Sequence, residues 1–348
     1  MNHEPVSATV ESPAPRCAWQ RCVEADPTAI ATQTPEWTDA ATAASRLRDG
    51  SRYYTFSDGS TAVLPLLQRC IGGRPIAAWS IPMNLGFGGL VGAPSTPARV
   101  AAVMADLRQQ KLAYTSIRPL PTVGDAWDLG DGASAVQRYS HVLDLRGGLD
   151  EVWTKRLNRK ARNYVRRAER NGVEVECDTT GRLAPEFDRL LSLSVERWAG
   201  QQREPLWLAR ARAARRDPPG RWGEIAKRLD GKCHIWVARI DGRTAAALIL
   251  LLGPAALSIR SAMDHSLVKT SRANELLEWS AIRDAVEHGC DLYHLGETTP
   301  DSSLAHFKER FGATLVPYTE VRTERLPLTA ADQRARELVK RAIGFRDA

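Results

Sequence analysis

The apolar run from Thr244 to Leu252 (TAAALILLL) constrains the fold more than any other stretch of this sequence. Its nine residues are about half the length that a membrane-crossing helix needs, so the run does not predict a membrane span. Gly242 precedes the run and Gly253-Pro254 follows it, and such residues end regular structure. We therefore expect a buried strand, paired as a hairpin with His234–Ile240 through the turn Asp241-Gly242-Arg243.

Strands and helices alternate after this hairpin. The hydrophobic spacing and the glycines at the ends predict, in order, a strand Leu257–Ala262, a helix Ala273–His288, a strand Leu292–Leu295, a helix Ser302–Phe311 and a strand Thr314–Arg322. Earlier in the chain, the turn Ser57-Asp58-Gly59-Ser60 predicts another hairpin between Tyr53–Phe56 and Ala62–Gln68.

This mixture predicts the α+β class and two domains, each a mixed, twisted sheet flanked by helices. Residues 1–18 are rich in Pro, Ser and Ala, and we expect a disordered leader there. The expected parts after the leader are an N-terminal domain (19–145), a C-terminal domain (146–326) and a C-terminal helix (327–348).

Composition excludes several classes of protein. The 348 residues include 43% hydrophobic and 26% charged residues, which is typical of a globular protein and not of a disordered or membrane-embedded chain. Six cysteines without a CxxC pair, and the lack of a signal-like start, predict free thiols and a cytoplasmic location. The seven histidines show no metal-ligand spacing, so no metal site is expected.

A strongly basic helix is predicted from Leu149 to Asn171, ending before Gly172. Its apolar residues keep helical spacing, which leaves the cations on the other face. Such an array attracts phosphates, although a basic helix is also commonly just a solvated face. The cations that we assign to this candidate phosphate-binding surface are Lys155, Arg156, Arg159, Lys160, Arg162, Arg166 and Arg167.

Three passages together carry a family resemblance: WTKRLNRKARNYVRRAERNGV (153–173), NELLEWSAIRDAVEHGCDLYHLG (274–296) and SLAHFKERFG (303–312). The chain from about Tyr53 to Leu326 resembles the FemAB-like branch of the GNAT acyltransferases, which are related to enzymes that add amino acids to peptidoglycan precursors using aminoacyl-tRNA. The resemblance implies two GNAT-like domains and transfer of an acyl group to an amine. It also suggests tRNA as the anionic ligand of the seven cations assigned to the basic helix, which makes them candidate tRNA-binding residues.

Two stretches depart from that family's pattern. Residues 201–223 are short and contain Pro205, Pro218 and Pro219, where the peptidoglycan enzymes carry a long helical arm. Residues 268–274 (VKTSRAN) contain no glycine, where other GNAT enzymes have a glycine-containing loop around the pyrophosphate of coenzyme A. The first departure weakens the case for a cell-wall substrate, and the second weakens the case for acyl-CoA.

The resemblance implies roles for six residues near the end of the matched region. Lys308, in the Phe307-Lys308 pair, would stabilise negative charge on the carbonyl oxygen, and Glu297 or Asp301 would accept the amine proton. Phe307, His294 and Thr298 would contact substrate, and His294 is a third candidate base. On residue patterns alone, Phe307 and Phe311 could instead be core anchors beside a solvated Lys308, and Asp301 or Ser302 could cap the helix.

We therefore expect an N-acyltransferase that uses aminoacyl-tRNA as co-substrate and a small-molecule or peptide amine as acceptor, without a prosthetic group. One alternative is an acyl-CoA-dependent GNAT enzyme. The other is a non-catalytic RNA-binding module that has kept the fold.

Overall fold

The computed structural model describes residues 6–81, 85–121, 127, 134–325, 328–343 and 345. The chain divides into two compact units. Unit 1 comprises Met1–Arg146, Leu252–Leu257 and Gly289–Leu326, and unit 2 comprises Gly147–Leu251, Ser258–His288 and Pro327–Ala348. Both units mix helices with sheet, which confirms the predicted α+β class. Within the described ranges, no helix combines the length and the hydropathy that a membrane crossing requires.

Unit 1 contains most of the strands. Its helices are α1 (Arg16–Glu24), α2 (Pro35–Ala43), α3 (Pro97–Gln109) and α11 (Ser303–Arg310), with a 3₁₀ turn at Ala31–Gln33. Its strands are β1 (Ala8–Glu11), β2 (Arg48–Asp49), β3 (Arg52–Phe56), β4 (Thr61–Leu64), β5 (Leu67–Ile71), β6 (Arg74–Trp79), β7 (Val91–Gly92), β8 (Tyr114–Ile117), β9 (Ser134–Asp144), β14 (Leu292–Glu297) and β15 (Thr314–Glu324).

Two sheets organise unit 1. The small one has the order β1-β3-β4-β7, and the large one runs β14-β9-β15-β8-β6-β5-β2. All neighbours in the large sheet are antiparallel except β6 and β8. Helix α3 buries Val100, Val103, Met104 and Leu107 in the core of this unit, at the spacing expected for one helical face.

Unit 2 contains α4 (Gly148–Glu151), a π-helical turn (Val152–Arg156), α5 (Arg159–Arg170), α6 (Ala184–Gln202), α7 (Leu206–Arg216), α8 (Arg221–Arg228), α9 (His265–Ser271), α10 (Ala273–Glu287) and α12 (Leu328–Ile343). Its sheet has the order β10 (Glu174–Asp178), β11 (Cys233–Ile240), β12 (Arg243–Leu251) and β13 (Ala256–Met263, which begins in unit 1). The predicted hairpin is confirmed, because β11 and β12 are antiparallel and Asp241 and Gly242 both have positive φ.

The division of the chain differs from the predicted one. Residues 289–326 belong to unit 1, because β14 pairs with β9, and β15 pairs with both β9 and β8. The predicted catalytic motifs therefore lie in the first unit and not in a C-terminal domain 146–326. Residues 8–11 form β1 and residues 16–24 form α1, so these parts of the expected leader are ordered structure, while residues 1–5 lie outside the described residues.

The basic helix is also interrupted where one continuous helix was predicted. Leu157 is extended, and the side chain of Asn158 accepts a hydrogen bond from Ala161 N at 2.8 Å, which makes Asn158 the N-cap of α5. A capping asparagine thus starts a second helix inside the predicted one.

Candidate active site

Strand β14 carries a bulge near its C-terminal end. Its pairing with β9 shifts by one residue between His294 and Glu297, and Gly296 has a φ of +73°. On its other edge, β14 pairs with β13 only through Tyr293 and His294. The last residues of β14 thus have no ladder partner on that edge within the described chain, which is where an extended substrate could bind to the backbone.

Lys308 lies directly beside this bulge. Helix α11 is capped by Ser302, the hydroxyl of which accepts from Ala305 N at 3.1 Å, so the capping role falls to Ser302 and not to Asp301. Ala305 and Lys308 are the buried residues of this short helix. Lys308 is only 5% exposed, which rules out the alternative of a solvated surface lysine.

The Lys308 ammonium group is bound to the bulge by three hydrogen bonds. Nζ donates to the carbonyl oxygens of Gly296 and Glu297, at 2.9 Å and 3.1 Å, and to Thr298 Oγ1. Thr298 is itself buried, and its N–H donates to the carbonyl oxygen of Tyr139 on β9 at 3.1 Å. The lysine therefore fixes the backbone conformation of the bulge and concentrates positive charge at the Thr298 hydroxyl.

Glu297 is held from the other side. Its Oε1 accepts hydrogen bonds from the Arg118 guanidinium group and from the Tyr318 hydroxyl. Oε2 makes no hydrogen bond within the described residues, and one third of the side chain is exposed. One oxygen of this carboxylate thus fixes its orientation while the other remains available to a ligand.

Arg118 and Tyr318 belong to a buried polar network that sequence reasoning missed. Arg118 is 4% exposed, and its Nε lies 4.0 Å from Oε2 of the buried Glu320. Burial opposes the charge of Arg118, but its interactions with Tyr318 and with the Glu297 carboxylate outweigh burial and raise its pKa. Burial also raises the pKa of Tyr318 well above its usual range, so this phenol is a hydrogen-bond donor at neutral pH.

The sequence signal for this network is the alternation of polar side chains along β15. Tyr318, Glu320 and Arg322 project from one face of β15, where polar residues are unusual if the face is buried. Arg322 donates to Glu320 Oε1 at 2.8 Å and Ser116 donates to it at 2.9 Å. These contacts outweigh burial and hold the pKa of Glu320 below its ordinary value.

His294 does not act as a solvent-accessible base. It is fully buried, its ring centroid lies 6.0 Å from that of Phe87, and neither ring nitrogen has a hydrogen-bond partner within the described chain. Burial lowers its pKa to about 4, so the imidazole is neutral at physiological pH. His141 on β9 is also fully buried, and burial together with the positive charge of Lys308 lowers its pKa.

Asp301 and Phe307 lie at the edge of this cluster. Asp301 is exposed, has a φ of +58°, and has no hydrogen bond or ion pair with the other described residues. Phe307 is half-buried and packs against the buried Phe311 with a centroid distance of 5.1 Å, and the Arg310 guanidinium lies over its ring. The structure thus brings Lys308, Glu297 and Thr298 together and leaves Asp301 apart.

The predicted basic surface lies in unit 2. Ala161, Val165 and Ala168 form the buried face of α5, which confirms the predicted amphipathic pattern. The exposed cations in this segment are Lys155, Arg159, Lys160, Arg166, Arg167 and Arg170. We call these six residues the α5 basic surface.

Two cations of the predicted surface, Arg162 and Arg166, have contacts within the chain. Arg162 Nη1 donates to the carbonyl oxygens of Trp153, Thr154 and Leu157, which closes the end of the preceding π-helical turn. The guanidinium of Arg166 lies 5.5 Å from the ring centroid of Trp153. Arg162 is therefore better explained as a capping residue than as a contact to a ligand.

Comparisons with known proteins bear on the fold. Residues 155–309 match a family model described as an acetyltransferase (GNAT) domain. The structure of FemX has a TM-score of 0.65 and 14% identity, covering 95% of this chain and 100% of FemX. L-PGS from Bacillus licheniformis has a TM-score of 0.51 and 15% identity, covering 97% of this chain and 99% of that one.

No curated protein matched the sequence in the corresponding comparison. The predicted GNAT-type fold is thus confirmed: residues 155–309 match a GNAT domain model, and the chain has the fold of FemX.

Proposed function

We propose that this protein is an N-acyltransferase that moves an aminoacyl group from aminoacyl-tRNA to the amine of a small molecule or peptide. The observation that carries the proposal is the buried Lys308 ammonium, which is bonded to the β14 bulge and to Thr298. A cation buried beside an incompletely paired strand end suits a reaction in which negative charge develops on a carbonyl oxygen.

Thr298 supplies the direct contact in this mechanism. Because Oγ1 accepts from Lys308, the hydroxyl hydrogen of Thr298 is available to another acceptor, and the ammonium makes it a stronger donor. The Thr298 hydroxyl donates to the ester carbonyl oxygen as it becomes an oxyanion. Lys308 acts through Thr298 and through its positive charge.

Glu297 handles the proton of the acceptor. The neutral amine nitrogen attacks the ester carbonyl carbon, and Glu297 Oε2 takes the proton that this nitrogen loses. The ester C–O bond then breaks, and the tRNA terminal hydroxyl leaves with a proton that Glu297 returns. The products are an amide and deacylated tRNA, and Arg118 and Tyr318 hold the carboxylate in place throughout.

The α5 basic surface supports RNA as the carrier of the acyl group. Its six exposed cations are carried on a single short segment, and phosphate binding by such residues releases counterions. Among the fold relatives, FemX and L-PGS are consistent with a transferase role but do not specify a donor. Salt-dependent tRNA binding is therefore part of the proposal.

Acyl-CoA is the second candidate donor, favoured by the match to an acetyltransferase family model. The start of α10 argues against it. Ala273 N is already bonded to Ser271 Oγ at 3.2 Å, and the buried Glu275 places an acidic group in the first turn of the helix. A pyrophosphate at this helix N-terminus would meet the negative charge of Glu275.

The test is a donor assay with purified protein, charged tRNA or acyl-CoA, and a panel of amines. We expect amine-dependent deacylation of tRNA, lost in Lys308→Met and retained in Lys227→Met, which changes an exposed helical lysine. Turnover with acyl-CoA alone would replace tRNA by coenzyme A in the proposal. Salt-sensitive tRNA binding without turnover by any donor would identify an RNA-binding module and refute the enzymatic proposal.

A further inference from the structure

Unit 2 contains a second cluster of reactive side chains that the proposed transfer reaction does not use. One potential ligand atom from each of Cys177, His234 and Asp284 lies within 4.8 Å of the other two. His234 and Asp284 are buried, and Cys177 is half-buried. Cys177 Sγ has no hydrogen-bond partner among the residues that the structure describes.

The fold places these three residues on one face of the unit 2 sheet. Cys177 on β10 is directly opposite Trp236 on β11, so the two side chains project to the same face, and His234 shares that face two residues earlier. Helix α10 packs on this sheet and contributes Asp284. The cluster therefore joins a helix to two neighbouring strands.

The surroundings of His234 are unusual for a buried imidazole. Nε2 lies 2.9 Å from the carbonyl oxygen of Gly231, and Nδ1 lies 2.6 Å from Asp284 Oδ2. The Gly231 carbonyl can only accept, so Nε2 carries a hydrogen, and Nδ1 of the neutral ring then faces a carboxylate with its lone pair. The 2.6 Å separation is a hydrogen-bond distance, so a metal ion bound to both atoms would take the place of the hydrogen and move the two ligands apart.

We propose that Cys177 Sγ, His234 Nδ1 and the Asp284 carboxylate bind one zinc-type divalent transition-metal ion. Sulfur, imidazole and carboxylate donors are those that Zn²⁺ selects, whereas Mg²⁺ and Ca²⁺ prefer oxygen donors alone. The hydrogen bond from Nε2 to a backbone carbonyl is the outer contact that metal-binding histidines usually make. Trp236 Nε1 provides another such contact by donating to Asp284 Oδ2 at 2.9 Å.

A fourth position is available near His288. This residue follows Asp284 by one helical turn, is half exposed, and has Nδ1 3.1 Å from Asp284 Oδ1. The rings of His234 and His288 lie edge to face, with centroids 5.2 Å apart. His288 Nδ1 is bonded to the carbonyl oxygen of Asp284 at 2.8 Å, so a solvent molecule completes the coordination, and this exposed side gives the ion a route into the site.

Metal binding requires the thiol to lose its proton. Cys177 is a half-buried free cysteine. Binding therefore forms a metal–sulfur bond, breaks the S–H bond and releases one proton to solvent. The apparent affinity should rise with pH as a result.

The experiment uses untagged full-length protein that has been stripped with a chelator, dialysed and titrated with Zn²⁺ or Co²⁺. We expect one ion per chain, and for Co²⁺ a sulfur-to-metal charge-transfer band. Cys177→Ser should abolish that band and weaken binding by more than the roughly 10- to 100-fold that loss of an outer contact costs. The control is Cys70→Ser, which changes a half-buried cysteine of unit 1.

His234→Gln provides a second test that keeps a polar group of similar size, with circular dichroism as the check on folding. Loss of metal binding in folded His234→Gln supports the site. Absence of stoichiometric binding in the parent protein, or binding unchanged by Cys177→Ser, overturns it. Nuclear magnetic resonance showing both His234 nitrogens protonated after Zn²⁺ is added would identify an imidazolium–carboxylate pair instead. None of these readouts depends on acyl transfer, so the metal proposal and the proposed function can fail separately.

Discussion

Replacing His294 with leucine should reduce the acid sensitivity of the fold. His294 is fully buried beside Phe87, and both ring nitrogens lack hydrogen-bond partners within the described residues. The unfolded chain exposes this imidazole, which then takes up a proton near its ordinary pKa of 6.5, whereas burial lowers the pKa to about 4 in the folded protein. Between these values the unfolded state binds more protons, so the stability that is fully present above pH 6.5 is lost as the pH falls.

The size of the effect follows from that pKa difference. Each pH unit inside the window corresponds to about 1.36 kcal/mol. Going from about pH 7.5 to about pH 4.5 crosses roughly two units of the window, so His294 should account for about 3 kcal/mol of the lost free energy of unfolding. His294→Leu has no proton to bind, so this part of the loss should disappear.

The assay is urea unfolding of parent and variant at both pH values. Other titrating groups, including His141, are present in both proteins and cancel in the comparison. Leucine also removes two unsatisfied polar atoms, so the variant should be no less stable than the parent at the lower pH. An equal loss of stability in the two proteins would show that His294 is protonated in the folded state, contrary to its burial.

Three further predictions concern the proposed reaction. Arg159→Gln and Arg167→Gln should each reduce the slope of log affinity for tRNA against log salt by about 1, whereas Arg74→Gln, at an exposed arginine of unit 1, should leave the slope unchanged. Equal slopes in all three variants would show that the α5 basic surface does not bind tRNA. Tyr318→Phe should lower kcat/KM by about tenfold and shift the pH profile of kcat/KM, because Glu297 loses a hydrogen-bond donor while the ring still packs on Phe87. An unchanged pH profile would argue against Glu297 as the base. Gly296→Ala should lower the free energy of unfolding in urea by about 1 kcal/mol and also impair acyl transfer, whereas Gly172→Ala, at the same φ of +73°, should lower stability alone. Intact transfer in both variants would show that the conformation of the bulge is not needed for catalysis.

Local chemistry explains what the sequence could predict. The Asp241-Gly242 turn determines its hairpin through the positive φ of two adjacent residues, and Ser302 determines the start of α11 through its own side chain. Lys308 could be singled out as a candidate because the Phe307-Lys308 pair lies in a short motif. Each of these features depends on residues within a few positions of one another.

Long-range pairing explains what the sequence could not predict. Arg118 and Glu297 are 179 residues apart, and they meet because β8 and β14 belong to one sheet. The same strand pairing moves residues 289–326 into unit 1, which no local pattern indicates. His234 and Asp284 are 50 residues apart and have no metal-binding spacing, so the cluster became visible only in three dimensions.

The break at Asn158 is an intermediate case. Asparagine caps helices well, but the helical pattern of apolar residues continues through it, and the pattern alone favoured one long helix. Extended backbone at Leu157 resolves the conflict in favour of the cap. A capping residue can therefore mark the start of a new helix even where the helical spacing of apolar residues continues through it.

The most direct test of the proposed mechanism is a double-mutant cycle in single-turnover aminoacyl transfer. Lys308→Met and Thr298→Val each remove one member of the same hydrogen-bonded pair, and each should slow transfer by about 100-fold. Because Lys308 acts through Thr298, the double variant should be no slower than the slower single variant, with tRNA affinity unchanged. Multiplicative losses, or transfer at the parent rate in either single variant, would contradict the account.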